Sequence, residues 1–112
     1  MKYRLYVSLN GDVEVKDSLS IDDIGILLKI HENDINKSSF WVKPEIKEYD
    51  MVFNKKVSDI GEVLSFNDEL HLIDNISEIE SINWNTTIIN SSHNLLTWRV
   101  NDLIVIGNST ID

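Results

Sequence analysis

Tyr3, Leu5, Val7 and Leu9 alternate with polar or mixed residues. A period of two belongs to a strand with one buried face, so a half-buried strand is predicted over Lys2–Leu9. Asn10-Gly11 follows, a pair that readily takes the two positive φ angles of a type I′ turn. Val13 and Val15 then resume the alternation, and the first two strands form a predicted hairpin. At Ser20 the period changes. Ile21, Ile24, Leu27, Leu28 and His31 fall at helical spacing. Ser20 can cap such a helix, and Asp22 and Asp23 occupy its first turn, where the backbone dipole favours negative charge. The helix is expected to run to about His31 and to leave through Glu32-Asn33-Asp34. Gly25 in its interior costs roughly 1 kcal/mol relative to alanine.

Phe40-Trp41-Val42 is predicted to be a strand that Pro44 ends or confines to an edge. Tyr49–Phe53 is another. Val57, Ile60, Val63 and Leu64 fit either a short helix capped by Ser58 or a strand. Asn67-Asp68 has turn composition. Beyond it, Leu70–Ile73, Ile79–Trp84, Thr87–Ile89, Leu95–Val100 and Leu103–Ile106 are short runs rich in β-branched and aromatic residues. Asn101-Asp102 is expected to be the two-residue turn of a hairpin between the last two. These last runs are nearly continuous in apolar residues, which predicts burial on both faces. The fold class is α+β in one domain, residues 1–112. It is mainly an antiparallel, meandering sheet, with one main helix near residues 20–31 and a β-rich C-terminal third.

The chain has 112 residues, 42% of them hydrophobic, enough to bury a core without covalent staples. It has no cysteine, which removes disulfides, thiolate nucleophiles and Cys-based zinc sites. No stretch approaches the roughly 18 apolar residues that a membrane span needs, and a cytoplasmic location is expected. Four glycines, none in a phosphate-cradling pattern, and no Gly-x-Ser-x-Gly elbow leave no familiar frame for catalysis. His31, His71 and His93 are scattered. Glu69 and His71 could offer two metal ligands, but the sequence places no third beside them. No catalytic residue, metal site or cofactor is therefore expected, and the chain is not predicted to be an enzyme.

Charge changes the picture more. The formal net charge is −9, which disfavours direct binding to nucleic acid or to an anionic membrane surface. The excess is uneven. Residues 1–56 hold ten acids and nine bases, whereas no Lys or Arg occurs from Val57 to Trp98. That base-free run holds Asp59, Glu62, Asp68, Glu69, Asp74, Glu78 and Glu80. Glu78 and Glu80, two apart on an expected strand, would point the same way. The plain explanation is a solvated face that keeps the chain soluble. The functional one is a negative patch that meets a basic protein partner and speeds encounter by about 10–1,000-fold at low salt. Trp84, just past the last acid, would be its apolar anchor. Glu45 and Glu48, near compensating bases, are expected to matter less.

In its size, its acidity, its lack of cysteine and catalytic motifs, and the acids of the base-free run such as Asp68-Glu69 and Glu78 with Glu80, the chain resembles bacterial immunity proteins of polymorphic and contact-dependent toxin systems. The likeness covers the whole chain in size, charge and organisation. It implies a non-catalytic inhibitor that covers a basic, nuclease-type toxin domain. Two alternatives stand beside it. One is a phage-encoded DNA mimic that blocks host defence, with carboxylates spaced like phosphates. The other is a structural or assembly protein that self-associates through its apolar C-terminal strands.

Overall fold

The computed structural model describes residues 1–32, 38–67 and 69–110. In chain order the elements are β1 (Tyr3–Leu9), β2 (Asp12–Leu19), α1 (Ile21–Ile30), β3 (Ser38–Pro44), β4 (Asp50–Asn54), β5 (Asp59–Phe66), β6 (His71–Ile73), α2 (Ser77–Ser81), β7 (Asn85–Asn90), β8 (Leu95–Arg99) and β9 (Leu103–Asn108). They form two compact units, each discontinuous in sequence. One contains Lys2–Glu45 and Glu69–Ile82, and the other contains Met1, Ile46–Asp68 and Asn83–Asp112. Each has its own antiparallel sheet, where a single meander was expected. Among the described residues, no helix is long and apolar enough to cross a membrane.

The first unit holds a four-stranded sheet in the order β2-β1-β3-β6. Asn10 at φ 52° and Gly11 at φ 88° close the β1–β2 hairpin as their residue types demand. The alternation in β1 continues across the sheet. Val7 lies opposite Phe40, Phe40 opposite Ile73, and Leu5 opposite Val42, and all five are buried on one face. Ile24 of α1 and Ile79 of α2 are fully buried in the same unit. Pro44 closes β3 opposite Tyr3 at the end of a strand that is interior to the sheet, so it acts as a terminator.

Helix α1 begins as the sequence predicts. The Ser20 hydroxyl accepts from the Asp23 N–H at 3.1 Å, and the Asp23 carboxylate accepts from the Ser20 N–H at 3.0 Å. This reciprocal cap satisfies two otherwise orphaned donors and holds the Asp23 carboxyl below the usual carboxylate range. His31 ends the helix, its N–H donating to the Leu27 carbonyl. Of the expected exit, Asn33 and Asp34 lie outside the described residues.

Ile79–Trp84 is not a strand. Ser77–Ser81 form the short helix α2, and the chain becomes extended only at Ile82. Local hydrogen bonds favour the turn over a ladder. The Asn75 side-chain Oδ1 accepts from the Ser77 N–H, and the Glu78 carboxylate accepts from the Asp74 N–H and the Asn75 side-chain amide.

The second unit holds a five-stranded sheet in the order β8-β7-β5-β4-β9. Val57–Leu64, ambiguous in sequence, resolves as a turn followed by β5. The expected hairpin at Asn101-Asp102 does not form. Val100–Asp102 make a single 3-10 turn, and neither Asn101 nor Asp102 has the positive φ that a type I′ turn requires. Strand β9 instead pairs with β4, at the opposite edge from β8. Five flat strands would hold the outer two about 19 Å apart. Four Cα steps from Arg99 to Leu103 reach at most about 15 Å. The sheet must therefore curl until its edges approach. Register shifts between Met51 and Val52 and between Val63 and Ser65 supply the local bends.

The curled sheet surrounds Ile46, Val52, Val63, Ile88, Trp98 and Leu103. The last two strands are not buried on both faces. In β8 only Trp98 is buried, and in β9 only Leu103. Both are edge strands, so Leu95, at 66% exposure, and Ile106 remain on the surface.

Candidate functional site

The fold divides the base-free run between the two units. Asp59 and Glu62 stand on β5, whereas Glu69, Asp74, Glu78 and Glu80 belong to the unit of β1, β2, β3 and β6. Asp68 lies outside the described residues. Trp84 is fully buried, at 0% exposure. It cannot anchor a partner, because a contact residue must offer surface. Its place between α2 and β7 makes it core.

Two of the acids serve the fold. Asp59 accepts from the Ser91 hydroxyl at 2.5 Å and the Asn90 amide at 3.1 Å, which pins the turn between β7 and β8. These bonds, that from Ser91 foremost, hold its carboxyl below the usual range. Glu78 is half-buried and committed to Asp74 and Asn75. On a helix Glu78 and Glu80 diverge, so the expected shared strand face is lost. Glu62 is half-buried in mid-strand, opposite Met51 and Ile89. Glu69, Asp74 and Glu80 are exposed.

A cleft of about 510 Å³ opens in the four-stranded unit where the end of α1, the start of β3 and the end of β6 meet. Leu28, Phe40 and Ile73 line it with apolar surface, and the His31 ring lies tilted against Phe40, 5.8 Å between centroids. Two carboxylates share its lining. Glu32 is the first residue past the helix cap, and Asp74 is the first past β6. Neither side chain has a hydrogen-bond or ion-pair partner among the described residues. Most neighbouring acids differ in this respect. Asp17 pairs with Arg4, Glu14 with Lys16 at 2.9 Å, and Glu45 accepts from the Ser18 N–H. Among the described residues, no Lys or Arg lines the cleft.

No known family model, curated protein or solved structure matches this chain. The functional argument therefore rests on chemistry. The four-stranded unit carries twelve acids and six bases, net −6, against seven acids and four bases in the five-stranded unit. Among the described residues no three His, Asp or Glu side chains gather as a metal-ligand set. Glu32 was missed from the sequence because it precedes the base-free run. The available signal was its position, the first residue after a histidine-capped helix.

Proposed function

We propose that this protein is a non-catalytic binding protein that engages a basic protein partner through its four-stranded unit, as an immunity protein occludes a toxin domain. The observation that carries this reading is the net −6 of that unit, with Glu69, Asp74 and Glu80 exposed on it. A net excess of one sign steers a cationic partner before contact. A standard interface buries about 1,600 Å² in total, about 800 Å² from each side. Occlusion requires neither cofactor nor covalent step.

The test uses the protein and its Glu69→Lys, Asp74→Lys, Glu80→Lys variant as baits on extract of the cells that encode it, at low and high salt. Basic proteins should be retained by the unaltered bait at low salt and lost with the variant. Co-expression of the unaltered protein, and not the variant, should then restore growth to cells producing the retained partner. Equal retention by both baits, or no protection, would remove the proposal.

A second reading, self-association, is favoured by the exposed apolar side chains of β8 and β9, Leu95 and Ile106 among them. Sedimentation would show a concentration-dependent dimer or larger species if it holds, and a monomer if it does not.

A further inference from the structure

We infer that the cleft between α1, β3 and β6 is a receptor for an arginine side chain, the anchor by which the basic partner docks. This rests on the binding reading above and deepens it to one residue of the partner. The shape and the charge point to the same ligand. Half-buried Leu28 supplies apolar wall for a three-carbon stem, with the edge of Phe40, 8% exposed, at the floor. The half-buried His31 ring, tilted against Phe40, offers flat surface, which a planar guanidinium covers better than a compact ammonium. Two exposed acids, Glu32 and Asp74, line the same cleft, and neither side chain has a partner among the described residues. A guanidinium has five N–H donors in a fixed fork, enough to serve both at once. Arginine is also among the residues that most often carry interface binding energy. A neutral apolar ligand would gain nothing from the two acids, and an anion would be repelled by them. A volume of about 510 Å³ accepts the side chain together with part of the backbone that presents it.

The test is a ¹H–¹⁵N titration of the full chain with Nα-acetyl-arginine methylamide at pH 7.5. The neutral isostere Nα-acetyl-citrulline methylamide and the lysine analogue are run beside it. The arginine probe should give saturating shifts confined to residues around Leu28, His31, Phe40 and Asp74. The citrulline probe should give none, and the lysine probe should bind more weakly. Glu32→Gln with Asp74→Asn should weaken arginine binding at least about tenfold, the loss of roughly one charge-assisted pair. Asp12→Asn with Asp22→Asn removes equal charge from exposed positions in the same unit and should leave binding unchanged. Unaltered spectra elsewhere would show that both variants fold.

Non-saturating shifts spread over all acids would overturn the inference, as would equal weakening by both variants. A basic protein retained in the pull-down with no saturable arginine response removes the cleft and leaves the binding reading intact. A saturable arginine site with no basic protein retained does the reverse.

Discussion

The backbone N–H of Val100 donates to the carbonyl of Trp84 at 2.9 Å. Two residues later the Asp102 carbonyl accepts from the Lys55 N–H, also at 2.9 Å. One short turn thus ties the start of β7 to the end of β4, next to the fully buried Trp84. Replacing Trp84 with Ala should cost about 3–5 kcal/mol, the range for a deleted buried aromatic. Urea unfolding followed by circular dichroism would measure it. Trp84→Phe should be milder and should leave the rate of association with a partner unchanged. A slower rate with unchanged stability would return Trp84 to the interface.

Two glycines should respond to alanine with opposite signs. In α1, a Cβ on Gly25 would meet Ile76 at 3.4 Å, ordinary contact, so Gly25→Ala should stabilise by about 0.5–1 kcal/mol. In β5, a Cβ on Gly61 would stand 3.0 Å from Trp98 and 3.2 Å from the Ile89 carbonyl oxygen. Overpacking there should cost about 1–3 kcal/mol. Thermal melts of the two variants, run together, decide both.

Asp59 should make the protein sensitive to acid. Its carboxyl titrates below its unfolded value, so its contribution is complete above the unfolded range near about 4. It disappears as pH falls through the lower folded value. At neutral pH, Asp59→Asn should melt below the unaltered protein. Below about pH 4 the two melting temperatures should converge. A constant gap across the acid range would show that Asp59 does not hold the turn between β7 and β8 through its charge.

Glu45 is a poor control for surface charge, contrary to the expectation from its basic neighbours. Its carboxylate accepts from the Ser18 N–H at 2.5 Å, where the backbone has φ 58°. Glu45→Lys should therefore lower stability by about 1 kcal/mol, the order of a lost hydrogen bond. Chemical denaturation would show it as a lower midpoint with an unchanged slope.

The β1–β2 hairpin and helix α1 were legible because their signals are local. Asn10-Gly11 and the Ser20 cap act within four residues of chain. The route of β9 was not legible. Asn101-Asp102 resembles a hairpin turn in composition, but the buried Val100, bonded to Trp84, and the Asp102 carbonyl, bonded to Lys55, join the strand to β4 instead. Helix α2 did leave a trace. Ile73, Ile76, Ile79 and Ile82 recur every three residues, a period that the β-branched composition concealed. The acids of the base-free run were easy to name, but their roles were not. Whether Asp59 clasps a turn or Asp74 stands at a cleft depends on which distant strands meet there. Glu32 lacked even a charge cluster to mark it.

The interleaving of the two units bears on how the chain leaves the ribosome. Strand β3 has β1 for a neighbour as soon as it emerges, but its other neighbour, β6, starts only at His71. Synthesis of the roughly 30 intervening residues takes a few seconds at about 5–20 residues per second. Throughout that time the backbone groups of Phe40, Trp41 and Val42 that will pair with β6 are open to any passing strand. The nascent chain is thus most vulnerable to aggregation midway through its own translation, and slowing the ribosome between Val42 and Ile73 should lower the soluble yield more than slowing it anywhere after β7.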